Sequence, residues 1–237
     1  MDKSVYDGGE TGPEWTPVST REAYAHVRRN LITVLRRPGE PGRIPVPSCP
    51  GWTVRDVIAH VTGICQQAAV SLSPDQAAPA VPPIDGLDLK ALLAEWERSG
   101  GRLDIALARP EHAGRGGRMM MDAFTHELDI RLAIGAPLTA AHPAYPGAFA
   151  VVTGGFSASV ASRGLPALRL QTPAGSWTAG DGEPAAVVRG SVTDMYRSLA
   201  GRRTVQQIRQ LDWSDEPERW IPAFTWGPFI PPADPAE

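Results

Sequence analysis

MMMDAFTHELDIRLAIG, residues 119–135, reads as one amphipathic helix. Met119, Ala123, Ile130 and Ala133 recur at the three- and four-residue steps that align on one helical face. Asp122 and His126 fall on that face, four residues apart, where side chains are neighbours. An acid and an imidazole are costly to bury unless they pair or bind something. The pair therefore has two readings: a buried Asp–His hydrogen bond that fixes the core, or two ligands of one metal ion. Gly135, with Pro137 just beyond, ends the helix.

Upstream, three further helical patterns complete a bundle. The first runs from Ser19 or Thr20 to Arg37. It starts on Thr20 with Glu22 nearby and carries a stripe of Tyr24, Val27, Leu31, Val34 and Leu35, stopped by Pro38 and Gly39. The second follows the proline-rich loop PGEPGRIPVPSCPGW and opens on Thr53 with Asp56 three residues later, a capping box with a shorter acid. Val54, Val57, Ile58, Val61, Ile64 and Ala68 face its core, and His60 lies on the flank. A loop rich in Ala and Pro, 73–83, leads to the third helix near 87–108, with Leu89, Leu92, Leu93, Trp96, Leu103 and Leu107 on its apolar side. The run Ser99-Gly100-Gly101 is a candidate kink. Four such helices with short connections suggest a four-helix bundle.

Downstream the texture changes. One more helix spans about 145–163, across Gly154 and Gly155. Short alternating runs then follow: LRLQT (168–172), SWTA (176–179) and AVVR (186–189), separated by PAG and GDGEP turns. They read as a small antiparallel sheet. Helices at 191–199 and 204–211 come next, then a tail rich in Pro and Trp. The expected architecture is α+β: an arm at 1–18, a bundle at 19–140 and a small α+β domain at 141–237. Trp15 is placed to pin the end of the arm.

Bulk properties exclude several classes. The chain has 237 residues, 42% hydrophobic and 21% charged, as in ordinary globular proteins. A net charge of −3 offers no footprint for nucleic acid. No apolar run is long enough to span a bilayer. The polar opening MDKSVYDGGETGPEWTPVST lacks the apolar core of a secretory signal, so a cytoplasmic location is expected. Cys49 and Cys65 read as reduced thiols in small-hydrophobe packing roles. Trp52 reads as packing its loop against the second helix. His26, His112 and His142 have no partner pattern and read as surface residues.

VPSCPGWTVRDVIAHVTG (46–63), DAFTHELDIRLAIG (122–135) and LRLQTPAGSWTAG with VRGSVTDMYRSLAGRRT (within 168–204) together resemble the mycothiol-dependent maleylpyruvate isomerase family, a branch of the DinB-like metalloproteins. The resemblance implies a DinB-like four-helix bundle followed by a sterol-carrier-like α+β domain. It implies a divalent metal, usually zinc, held by His60, Asp122 and His126, with Asp122 standing where the family usually has Glu. The aspartate is one methylene shorter, so its reach is in question. Asp129, one turn on, could orient a ligand histidine. The resemblance also implies that the site's partners are mycothiol, as the low-molecular-weight thiol, and a small-molecule electrophile. Arg202 is implied as a catalytic, anion-binding residue, and Arg202 and Arg203 as cofactor-binding residues in a Gly-Arg element. On this reading mycothiol's sulfur is held as a metal-bound thiolate and attacks the electrophile, giving either cis–trans isomerisation or S-transfer. A non-catalytic ligand- or partner-binding scaffold and a metal-dependent hydrolase are the other readings, and both a monomer and a homodimer fit.

Overall fold

The computed structural model describes residues 15–72, 82–112 and 114–235. The arm before Trp15 and most of the Ala/Pro loop, 73–81, lie outside the described residues. Two compact units divide the chain: one comprises Thr16–Val151 and the other Trp15 with Val152–Asp234.

The first unit is built on α1 (Thr20–Leu35), α2 (Val54–Ser71), α3 (Leu89–Leu107) and α4 (Gly117–Ala133), and includes the start of α5 (Tyr145–Ser162). Each start is written locally. Ser19 caps α1: its hydroxyl accepts from the Glu22 amide while the Glu22 carboxylate accepts from the Ser19 amide. Thr53 and Asp56 repeat the box at α2, and Asp88 caps α3 by accepting from the Ala91 amide. α1 packs on α3 and α4, and α2 on α3 and α4, which closes the bundle. Its centre is Tyr24, Val27, Leu31, Ile58, Val61, Leu92, Trp96, Leu103 and Phe124, all essentially inaccessible to solvent.

The apolar stripe of α4 differs from the one read in the sequence. Met119 and Ala133 are only half-buried. The buried set is Met120, Met121, Ala123, Phe124, Leu128 and Ile130, together with Thr125, His126, Glu127 and Asp129. Such a run of consecutive residues surrounds the helix, so the middle of α4 is buried on most sides and its polar groups need internal partners. In α3, the Ser99-Gly100-Gly101 run causes no interruption. Gly100 has a packing reason: a Cβ there would overlap the Arg28 guanidinium, which bonds Asp104 at 2.6 Å.

The second unit holds the remainder of α5, then β1 (Leu168–Thr172), β2 (Gly175–Ala179), β3 (Ala186–Arg189), α6 (Val192–Leu199), α7 (Val205–Arg209) and β4 (Asp212–Trp213). The strand order is β2-β1-β3-β4. β1 pairs antiparallel with β2 but parallel with β3, with Leu170 opposite Trp177 on one side and Val188 on the other. The sheet is therefore mixed rather than antiparallel. β4, two residues long, was not visible as a strand pattern. β1 alternates buried and exposed positions, with Leu168, Leu170 and Thr172 inward. Trp15 meets Trp177 at 5.9 Å between ring centroids. Gly155 lies in an unbroken α5, and a Cβ there would collide with the Trp226 ring. The chain thus has a helical N-terminal part followed by a sheet-containing C-terminal part, the α+β class anticipated. No helix among the described residues is long and apolar enough to cross a membrane.

Candidate metal centre

The loop before α2 is folded tightly on itself. The Val46 amide bonds the Trp52 carbonyl, the Cys49 amide bonds Val46 and the Trp52 amide bonds Cys49, each at 2.9 Å. Pro45 and Thr53 form an isolated antiparallel bridge at its neck. This turn fixes Cys49 and Trp52 relative to α2. His60 lies two helical turns beyond the Thr53 cap. Across from it, α4 presents Asp122 and His126 one turn apart and Asp129 on the turn after.

The three residues expected as ligands come together. Asp122 Oδ2 is 3.3 Å from His60 Nε2, and Asp122 Oδ1 is 3.7 Å from His126 Nε2. One donor atom from each of the three lies within 4.8 Å of the others. The His60 and His126 rings stand nearly perpendicular, with centroids 5.2 Å apart. His126 is buried, while the His60 and Asp122 side chains are each 32% exposed, so one side of the group is open. Asp122 Oδ2 is itself buried and has no hydrogen-bond partner among the described residues.

These features fit a divalent ion. Donors about 2.1 Å from a tetrahedral zinc stand about 3.4 Å apart, close to the observed spacings. A carboxylate with two imidazoles is the donor chemistry of borderline metals. The shorter aspartate side chain reaches both histidines. On the far side of His126, Asp129 Oδ2 lies 3.3 Å from Nδ1, and the Asp129 side chain is fully buried. An Nδ1–H donated to that carboxylate leaves the Nε2 lone pair facing another acceptor, Asp122. In that arrangement both atoms are available as donors to one cation.

Two residues near this group were read as packing residues. Cys49 is half-buried, with Sγ 3.7 Å from both His126 Nδ1 and Asp129 Oδ2. The Trp52 ring, 39% exposed, lies 5.3 Å from the His60 ring and 6.5 Å from the His126 ring, stacked on the latter. The available signal was position: both sit in the tight loop leading directly into the helix that carries His60. Cys65 does behave as a core thiol. It is fully buried, and burial pushes its pKa up to about 11.

His142 is not a surface residue. It is 3% exposed, and its Nδ1 accepts from the Ala144 amide at 3.0 Å. Its Nε2 lies 3.1 Å from Glu127 Oε2 and 3.0 Å from Asn30 Nδ2. Glu127 Oε1 accepts from Arg131 Nε at 2.8 Å and from Asn30 Nδ2 at 3.1 Å. These donors hold Oε1 of a fully buried carboxylate next in sequence to His126, while Oε2 has no hydrogen-bond partner among the described residues. His26 and His112 are half-buried: His26 packs edge-on to His142, and His112 Nδ1 bonds the Ala106 carbonyl at 2.8 Å.

Arg202 and Arg203 belong to the other unit. Arg203 is buried, and its Nη2 and Nε bond Asp194 Oδ1 at 2.6 and 3.2 Å. Burial alone would raise the Asp194 carboxyl, but hydrogen bonds from Arg203 and Ser191 and the charges of Arg203 and Arg197 outweigh it and hold the pKa below the usual value. Arg202 is half-buried and donates from Nη1 to the Ala200 carbonyl at 3.0 Å.

Residues 24–131 match the family model described as the mycothiol maleylpyruvate isomerase N-terminal domain. Among solved structures, the chain is similar to a crystal structure of the mycothiol-dependent maleylpyruvate isomerase, at 20% identity and a TM-score of 0.52, covering 83% of this chain and 90% of that one. It is also similar to a histidine-to-alanine mutant of that enzyme, at 18% identity and a TM-score of 0.51 with the same coverage. At such identities the likeness establishes the fold alone. A comparison with curated proteins returned no match.

Proposed function

We propose, from the match of residues 24–131 to the mycothiol maleylpyruvate isomerase N-terminal domain model, that the protein is a cytoplasmic, divalent-metal-dependent enzyme of that family using mycothiol as cosubstrate. The observation that carries this reading is the approach of Asp122 to both His60 and His126, with a buried carboxylate oxygen that has no hydrogen-bond partner among the described residues. His60, Asp122 and His126 would hold the ion, with zinc the best match to the donor set. When bound, such an ion supplies a Lewis acid that favours the thiolate form of a nearby thiol at neutral pH.

The chain's own residues do the rest. With neutral imidazoles, the three donors carry one negative charge, which leaves net positive charge to attract a thiolate. Trp52 covers one side of the two histidines and limits water there. Asp129 holds Nδ1 of His126 and so directs its Nε2 toward Asp122. Arg202 is assigned the acidic group of the substrate or of the thiol, as the family resemblance implies. Arg203, committed to Asp194, serves to brace that turn.

Two reactions follow from one nucleophile. The sulfur can add to an activated double bond, forming a C–S bond while the π electrons move onto the conjugated carbonyl. Rotation and loss of the same sulfur then restore the alkene in the other geometry. Alternatively, the C–S bond persists and a leaving group departs with its electron pair, which is S-transfer. The test is incubation with zinc, mycothiol and either maleylpyruvate or an alkylating electrophile. Product is expected only when metal and thiol are both present, and is lost in His126→Ala. Metal-independent turnover would overturn the assignment. The non-catalytic scaffold remains the second reading, and the spacing of Asp122 to both histidines supports the metal-dependent one over it.

A further inference from the structure

His126 has different neighbours at its two ring nitrogens. Nε2 faces Asp122 at 3.7 Å. Nδ1 faces Asp129 Oδ2 at 3.3 Å and Cys49 Sγ at 3.7 Å, while the same sulfur is 3.7 Å from Asp129 Oδ2. Three groups from two separated stretches thus close a triangle behind the imidazole. We infer that Cys49 is a positioning residue for the candidate centre: its thiol donates to Asp129, and together they hold His126 in the Nδ1–H tautomer with the Nε2 lone pair turned to Asp122 and His60.

The constraint lies at Asp129. Its side chain is 0% exposed, so water does not solvate it and its lone pairs need protein donors. An imidazole Nδ1–H is one donor and the Cys49 S–H is another. An imidazole whose N–H is held by a carboxylate is both fixed in orientation and more basic at its other nitrogen, as in carboxylate–histidine–metal arrangements generally. Cys49 suits the position because its place is set twice. Its amide and its carbonyl are both used inside the turn, to Val46 and from Trp52. The sulfur is also large enough to reach Asp129 and His126 together. The same turn ends in the Thr53 cap of α2 and so ties the support of His126 to the helix that supplies His60. Packing alone does not account for a thiol aimed at a buried carboxylate.

The inference rests on the metal-centre reading, and its test separates the two. The tautomer of His126 is read from long-range 1H–15N NMR correlations in metal-free protein. Zinc affinity is measured in parallel by chelator competition. Wild type is expected to show the Nδ1–H tautomer. Cys49→Ala is expected to show a mixture of tautomers, an unchanged melting temperature for the metal-free protein and about tenfold weaker zinc binding, with Cys49→Ser in between. Asp129→Asn is expected to turn the ring to the Nε2–H tautomer. Cys49→Ala keeps the test open if that buried substitution fails to fold. An unchanged tautomer and affinity in Cys49→Ala would overturn the role of Cys49. A thiolate-to-cobalt charge-transfer band in the Co2+-substituted wild type, absent from Cys49→Ala, would also overturn it by making Cys49 a direct ligand. An Nδ1–H tautomer that depends on Cys49, in a protein that binds no zinc or cobalt, would uphold the positioning and remove the metal centre instead.

Discussion

Asp122 Oδ2 lies 3.3 Å from His60 Nε2, joining α4 to α2 across 62 positions of sequence, and it does so without hydrogen-bond geometry. Asp122→Asn keeps the size and removes the charge. It is expected to weaken zinc binding by about 100-fold, beyond the usual effect of losing a supporting residue, while leaving the far-ultraviolet circular dichroism unchanged. Asp122→Glu, the family's usual residue, is expected to stay within about tenfold of wild type on the same scale. Equal binding by Asp122→Asn would mean that the carboxylate is not a ligand.

Gly100 in α3 faces the Arg28 guanidinium of α1, which a Cβ there would overlap. A helix-interior alanine normally stabilises by about 1 kcal/mol over glycine. Here the new methyl would displace the buried Arg28 guanidinium from Asp104, which is partly exposed, so the cost falls at the low end for breaking a buried pair, about 3 kcal/mol, and the net loss is about 2 kcal/mol. Gly100→Ala is therefore expected to lower the melting temperature by roughly 4–8 °C. Gly101→Ala, with nothing near its Cβ position, is expected to raise it slightly. Calorimetry of the two variants reads the comparison directly, and a stabilised Gly100→Ala would refute the packing account.

The two cysteines should separate chemically. Cys65 is fully buried, with burial pushing its pKa up to about 11. At neutral pH it is a thiol, and the thiolate is the form that reacts. Native protein treated with iodoacetamide is expected to leave Cys65 unmodified by peptide mass spectrometry until denaturant is added. Rapid labelling of Cys65 in native buffer would contradict its place in the core.

The Asp194–Arg203 pair sets a pH dependence in the second unit. The folded carboxyl is held below its ordinary value, so the folded state binds that proton less readily than the unfolded chain. Its stabilisation is fully present above the unfolded value of about 4 and is lost as pH falls through the lower, folded value. In denaturant titrations, the deficit of Asp194→Asn relative to wild type should be largest at neutral pH and should shrink on acidification below that value. A deficit that stayed constant into the acid range would show that the carboxylate charge is not what matters.

What the sequence disclosed follows the range of the interactions. The Thr53/Asp56 box spans three residues and is visible in one dimension. Even so, the α1 cap falls on Ser19 with Glu22 rather than on Thr20. His60, Asp122 and His126 were found through their motifs and the family resemblance, but the approach of Asp122 to His60 depends on helix packing that no local pattern encodes. His142 was missed for the same reason: Glu127 and Asn30, which make it a core residue, are 15 and 112 positions away. The stripe assigned to α4 failed because a helix buried on most sides has no single apolar face. β4 has two residues, too few for alternation to show. The parallel β1–β3 pairing follows from β2 folding back on the outer edge of β1, a topological fact rather than a compositional one. Cys49 looked like a small hydrophobe because its partner Asp129 lies 80 residues on.

The account turns on whether His60, Asp122 and His126 hold a metal ion. The direct measurement is elemental analysis of protein purified without chelators, beside His60→Ala and Asp122→Ala prepared identically. Near-stoichiometric zinc or another divalent metal in the wild type, lost in both variants, is the predicted result. A wild type that stays free of metal even after zinc and nickel are offered would contradict it.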